Sequence, residues 1–241
     1  MDRRCCKLVL LISLLLIPSL CFGMPLWQLG GSIPTDDCPS GTYLFAWNGD
    51  YPSDTDKGCF TNGAIQKDGT QSGGTLNSTA FTKTAHDQYV RWVVATDDGL
   101  NEDIGTVWVL VNVTDDGART QAFVFESFAT DYLGLYVEAD NNIGGIYYGQ
   151  GGAAQTISSS PDVLTPGADT WIAYTWDEAN DNHCVKIGSG GTWRCVTETL
   201  TNWTSEPNDV TIGEGILGGT ETDTIAIKAI YIFSGYQQGS P

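Results

Sequence analysis

The chain has 241 residues, 41% hydrophobic and 11% aromatic, with 29 glycines and a formal net charge of −18. That length and composition fit a single all-β domain with a sizeable core. The excess of acid repels nucleic acid and anionic membranes, so neither is expected as a partner.

Arg3, Arg4 and Lys7 precede an apolar run over 8–20, and the segment closes on Gly23. This order predicts a secretory signal over 1–23 and a mature domain over 24–241. The product is then extracellular, periplasmic or displayed at the cell surface. The apolar run is short for a membrane span, and a retained anchor is the alternative. Without the first 23 residues, Lys+Arg falls from 11 to 8 and Asp+Glu from 29 to 28, a net charge of −20. Cys38, Cys59, Cys184 and Cys195 remain, an even count that predicts two disulfides in an exported protein.

After the signal, helical periodicity is nearly absent. Residues 24–42 form an irregular lead-in, and a strand is expected over 43–47. The stretch 50–78 is rich in Gly, Asp, Thr and Asn and reads as a long loop, a kind of segment that often carries function. Further short apolar segments predict strands over 89–95, 106–113, 121–128, 133–138, 145–148, 171–176, 184–187, 192–196, 209–212 and 224–233. Turn clusters separate them, the pattern of a β-sandwich or barrel. Val107, Val109 and Val111 share one face of their strand. In the last strand, Ile225, Ile227, Ala229 and Tyr231 alternate with Ala226, Lys228, Ile230 and Ile232. Both sets are largely apolar, which predicts a central strand covered on both sides. Asn77, Asn112 and Asn202 each begin an N-x-[ST] sequon.

The segment around Cys184 and Cys195 folds as a hairpin about the turn 188–191. Ile187 then faces Thr192, Lys186 faces Trp193, Val185 faces Arg194, and Cys184 faces Cys195, within disulfide reach. Cys38 and Cys59 pair by elimination.

Several motifs, taken in order, resemble a known superfamily. TWIAYTWDEANDNHCVKIG (residues 170–188) resembles a W-x-x-V-A-x-T-W-D segment. NDVTIGEG (208–215) resembles a D-[IVL]-x-I-G strand, and DTIAIKAIYIFSGYQ (223–237) a closing strand. Upstream, DTDKGCFTNGAIQKDGT (54–70) resembles a Gly-rich D-x-s-G-N-G-x-x-G-T loop. Together they resemble laminin G-like domains of the concanavalin A-like lectin/glucanase superfamily. The resemblance implies a jelly-roll sandwich of two antiparallel sheets. That fold hosts lectins, glycan-cleaving enzymes and adhesion modules, so function has to be argued from the site.

Catalytic signatures are weak. Retaining glucanases of the superfamily carry E-x-D-x-x-E on one strand. The nearest match is Glu221, Asp223 and, in place of the third acid, Ala226. A Gln-x-His pair, expected of alginate lyases of this fold, is absent, and GGIYYGQ (144–150) only faintly resembles their Tyr-rich closing motif. His86 and His183 are the sole histidines, too few for a His-rich metal site. Glu126 reads as a lone acid on an aromatic strand.

Binding signatures are stronger. Trp92, Trp108, Trp171 and Trp176 lie inside strands and read as core. Trp47, Trp193, Trp203, Tyr147 and Tyr148 lie beside turns and are the candidate ligand-binding aromatics. Asp97, Asp98 and Asp103 are the candidate calcium ligands, with plain solvation as the competing reading. Ala226 stands where relatives often place a calcium-binding acid, which argues against the superfamily's common site. The expectation is an exported, non-catalytic module that binds carbohydrate or an extracellular protein. Its alternatives are a glycan-cleaving enzyme of the same fold and a structural or adhesion module.

Overall fold

The computed structural model describes residues 38, 42–49, 57–61, 63–95, 98–114, 117–127, 131–213 and 224–235. The expected signal over 1–23, Asp97, Glu221 and Asp223 lie outside them. The described strands are β1 (Phe45–Asn48), β2 (Lys57–Phe60), β3 (Ile65–Asp68), β4 (Thr70–Ser72), β5 (Thr75–Leu76) and β6 (Phe81–Lys83). They continue with β7 (Tyr89–Val93), β8 (Ile104–Val113), β9 (Thr120–Ser127), β10 (Asp131–Val137), β11 (Ile143–Tyr148) and β12 (Gln155–Ser158). The last are β13 (Thr170–Asp177), β14 (Asn182–Ile187), β15 (Arg194–Thr197), β16 (Asp209–Ile212) and β17 (Ile225–Ser234).

They form two antiparallel sheets. The ten-stranded sheet runs β15-β14-β13-β8-β17-β1-β2-β3, with β6 on β17 and β5 on β6; the seven-stranded sheet runs β12-β11-β10-β9-β16-β7-β4. The core lies between them. Val107, Val109, Val111, Ile172, Tyr174 and Trp176 from the larger sheet meet Phe123, Phe125, Leu133, Leu135, Val210 and Trp92 from the smaller one. In these strands period-2 alternation does what it predicts: one face is dry and the other points away from the partner sheet. The result is the expected all-β, jelly-roll-like sandwich. No helix among the described residues is long and apolar enough to cross a membrane.

All eleven expected strands are present, with ends shifted by one or two residues in most. Two expectations need correction. The stretch 50–78 is not one long loop, because it holds β2, β3, β4 and β5. These strands are two to four residues long and mostly polar, so no apolar period marks them. After β3, Gly69 carries the chain from the larger sheet to the smaller one. The pair Gly73 and Gly74, at φ +60° and +63°, then turns it back. Added side chains at both positions would be strained, so the corner depends on glycine.

The second correction concerns the phase of β17. A β-bulge between Ile227 and Ala229 shifts its register against β8. Ile225, Ile227, Ile230 and Ile232 all enter the core, while Ala229 and Tyr231 turn outward. The outward residues form a second small cluster with Tyr43, Ala46 and Cys59, backed by Leu110, Trp171 and Phe233. The strand is central and apolar on both faces, as expected, but the faces are partitioned by the bulge rather than by simple alternation.

Both disulfides form as expected, Cys184–Cys195 with Cα atoms 4.1 Å apart and Cys38–Cys59 at 5.8 Å. The hairpin register holds too: Cys184 faces Cys195 and Val185 faces Arg194.

Candidate functional site

The turn-adjacent aromatics separate into three groups. Trp47 and Tyr147 have no exposed surface, and Trp203 is 8% exposed. Trp47 packs on Trp92 with ring centroids 5.9 Å apart; Trp203 packs on Phe125 at 5.8 Å and on Tyr147 at 6.2 Å. These three are core residues and offer no ligand a face. Nearness to a turn in sequence does not decide which side of the sheet a ring falls on. Tyr147 also meets acid: burial, and then Glu178, Asp103 and Glu102, push its phenol far above the ordinary range.

Trp193 is half-buried on the outer face of the larger sheet. Its ring lies edge-on to Trp108 at 5.9 Å, and Lys186 Nζ sits over both rings, 5.5 and 5.6 Å from their centroids. The indole is thus engaged from two sides.

Tyr148 takes the opposite surface, the outer face of the smaller sheet. Register fixes its neighbours there. Tyr148 stands beside Tyr132 on β10, which stands beside Glu126 on β9, then Asp209 on β16, then Val93 on β7. Five strands thus contribute one straight row. Tyr132 and Tyr148 stack with centroids 5.0 Å apart at 26°. Burial, and then the Tyr148 hydroxyl, push the Tyr132 phenol up, so it keeps its proton and can donate it to an acceptor. Val93, at the far end of the row, is 64% exposed.

The next row holds Ile146, Gly134, Val124, Thr211 and Arg91. From it Arg91 reaches back to the first row. Its guanidinium lies 3.3 Å from Glu126 Oε1 and 4.0 Å from Asp209 Oδ2, over the ring of Tyr89 at 4.8 Å. Glu126 is therefore not a lone acid, because it shares an arginine with a second carboxylate. The floor is set by glycine. A Cβ on Gly134 would come within 2.6 Å of Gln121 Nε2, and one on Gly144 within 2.2 Å of the Tyr136 ring. Beyond that floor, Tyr136 lies under Arg119 at 4.9 Å, and Arg119 is paired with Glu138 at 2.8 Å.

The arrangement is an aromatic platform flanked by two carboxylates and a guanidinium on a rigid, small-residue floor. Such a surface can stack a flat apolar face and hydrogen-bond the polar groups around its rim. Tyr148 is the one residue of it named from sequence as a binder. Tyr132, Arg91 and Asp209 carry no local signal. They become visible once strand order and register align positions 91, 126, 132, 148 and 209.

The calcium candidates do not come together among the described residues. Asp98 is 1% exposed; its carboxylate pairs with Lys67 and accepts the Ala95 N–H at 2.7 Å. The Asp103 main chain bonds to Asn101 and Glu178 instead. No group of three or more His, Cys, Asp or Glu side chains suited to a metal ion occurs among the described residues. Glu102 and Glu178 lie near Asp103, and burial, followed by neighbouring acids, raises both carboxyls. That end of the sandwich is an acidic rim.

No family model matches the chain, and no curated protein matches it. Solved structures do. The binding domain of botulinum neurotoxin serotype D is similar over 80% of this chain and 48% of its own, at 10% identity and a TM-score of 0.57. The binding domain of serotype D/C VPI 5993 is similar over 81% of this chain and 49% of its own, at 8% identity and a TM-score of 0.61. A Trypanosoma rangeli sialidase in complex with sialic acid is similar over 83% of this chain and 32% of its own, at 10% identity and a TM-score of 0.56. The likeness is one of fold. This chain spans less than half of the neurotoxin chains and about a third of the sialidase chain.

Proposed function

We propose that this protein is an exported, non-catalytic β-sandwich of laminin G-like type that binds carbohydrate on the outer face of its seven-stranded sheet. The observation that carries the reading is the Tyr132–Tyr148 stack, set in one row with the arginine-bridged Glu126 and Asp209. A stacked tyrosine pair fits the C–H face of a pyranose, and the adjacent ions fit its hydroxyls. The likeness to neurotoxin binding domains and to a sialidase in complex with sialic acid agrees with a ligand-binding sandwich.

Charge narrows the ligand. Arg91 contributes one positive charge against two carboxylates, on a chain of net charge −18. Acidic sugars are repelled, and neutral or amino sugars are accepted. An array of neutral, amino and acidic glycans, followed by calorimetric titration of the strongest binder, tests this. Tyr132→Ala and Tyr148→Ala should each weaken binding about tenfold, roughly 1.4 kcal/mol, the scale of an aromatic anchor at an interface. Unchanged affinity in both folded variants removes the site. Release of sugar from a glycan, abolished by Glu126→Gln, replaces binding with hydrolysis, because a carboxylate pair is the minimum such chemistry needs.

Export rests on the residues of 1–23 and agrees with the two disulfides, which form and persist in oxidising compartments. The product recovered from the medium of expressing cells should have a polypeptide mass lacking residues 1–23. A full-length chain in the membrane fraction refutes cleavage.

A further inference from the structure

The three sequons are equivalent as sequence and unequal as structure. Asn77 is exposed in the turn joining β5 to β6. Its Oδ1 accepts the Thr79 N–H at 2.9 Å, the Thr79 hydroxyl at 2.8 Å and the Ala80 N–H at 3.1 Å. The carboxamide oxygen is thereby saturated, and Nδ2 donates to no described residue. All these contacts fall within four residues, so the turn can form before the rest of the sandwich does.

Asn112 is the reverse. It is only half-exposed near the end of β8, beside Ala226 of β17. Its Nδ2 donates to Gly167 O at 3.1 Å and to Asp169 Oδ1 at 2.8 Å. Both partners are more than fifty residues away in sequence. A sugar on this nitrogen removes one of its two hydrogens and stands against the loop they hold. Asn202 is exposed, but the hydroxyl of its Thr204 is 2.8 Å from the buried Asp131 carboxylate and unavailable to the Asn202 amide. The middle residue of that sequon, Trp203, is buried in the core.

We infer that Asn77 is the principal N-glycan acceptor of the folded protein, and that Asn112 is left bare. The inference rests on the export reading. The donor class is a polyisoprenyl-diphosphate-linked oligosaccharide, delivered by the transferase of the secretory lumen. The bond from Asn77 Nδ2 to the anomeric carbon forms. The bond from that carbon to the diphosphate oxygen breaks, and the lipid diphosphate leaves with the electron pair. One amide proton passes to a base of the transferase. The acceptor lies on the edge pair β5–β6 of the ten-stranded sheet, whereas the tyrosine pair belongs to the other sheet. Glycosylation at Asn77 and ligand binding are therefore compatible.

The test is expression of the full chain in insect cells, with peptide mapping before and after glycan removal by an amidase that converts the acceptor Asn to Asp. We expect the Asn77 peptide to be the most fully occupied, Asn202 less so, and the Asn112 peptide unmodified. Thr79→Ala should remove one glycan mass, and Thr79→Ser should retain it, because only the hydroxyl is at issue. A bare Asn77 peptide, or Asn112 occupied as fully as Asn77, overturns the inference. Export is read separately from the polypeptide mass in the medium, so the two can fail independently.

Discussion

Replacing Asp131 with alanine should lower stability by about 4 kcal/mol, the scale expected when a buried, fully engaged carboxylate is removed. Asp131 opens β10 and has no exposed surface. One carboxylate oxygen accepts the Gln150 N–H at 2.5 Å; the other accepts the Thr204 N–H at 2.9 Å and the Thr204 hydroxyl at 2.8 Å. Alanine leaves two main-chain donors without their acceptor in a half-buried setting, and the cost is mostly that desolvation. The same change should weaken ligand binding, since Asp131 precedes Tyr132 and secures the turn that follows Tyr148. Asp131→Asn should fall in between, because an amide keeps one acceptor oxygen. Urea unfolding followed by tryptophan fluorescence measures the loss; a shift below about 1 kcal/mol would show that water replaces the carboxylate without penalty.

Acid should destabilise the fold through His183. The ring is fully buried on β14, its Nδ1 is 3.1 Å from the Tyr174 hydroxyl, and its Nε2 makes no hydrogen bond among the described residues. Burial lowers its pKa from the ordinary 6.5 to about 4. Above pH 6.5 the ring is neutral in both states and contributes no pH dependence. Between 6.5 and about 4 the unfolded chain takes up a proton that the folded one refuses, so stability falls as pH falls. Below about 4 both states are protonated, and the loss levels off at about 3 kcal/mol. His183→Gln removes this titration while leaving every carboxylate in place. The difference between the two stability curves should therefore be flat above pH 6.5, sloped between 6.5 and about 4, and flat again below. A difference that is flat throughout would mean that the folded ring protonates as easily as the unfolded one.

Much of the fold is legible because a half-buried strand writes its own period. Val107, Val109 and Val111 announce a dry face, and the hairpin turn fixes which cysteine meets which. What stays hidden is whatever lacks that period. Strands β2 to β5 are too short and polar to show one. The phase of β17 depends on a bulge that no residue near Lys228 advertises. The candidate site is less legible still. Trp47 and Trp203 have the chemistry of a binding rim and the position of core, since burial depends on which side of a sheet a residue falls. Arg91, Glu126, Tyr132 and Asp209 become a row only through pairings between strands far apart in the chain, and a single sequence carries no trace of those.

The two disulfides have a consequence for how the larger sheet comes apart. Along its main path the outermost members are β15 at one end and β3 at the other, and β5, joined through β6 to β17, is a further edge. Cys195 lies on β15 and is tied to its neighbour β14; Cys59 lies on β2, next to β3, and is tied back to Cys38. A sheet unravels most readily from its margins, where unpaired amides also invite other chains to add on. The β15 margin is thus covalently sewn to its neighbour, while the second bond anchors β2, one strand in from β3. While the bonds last, peeling is blocked at the β15 selvedge and can go no further than β3 at the other, and a reductant would release both restraints at once. The larger sheet should therefore resist fraying in oxidising surroundings and become more prone to strand-to-strand polymerisation when reduced, which light scattering with and without reductant would read.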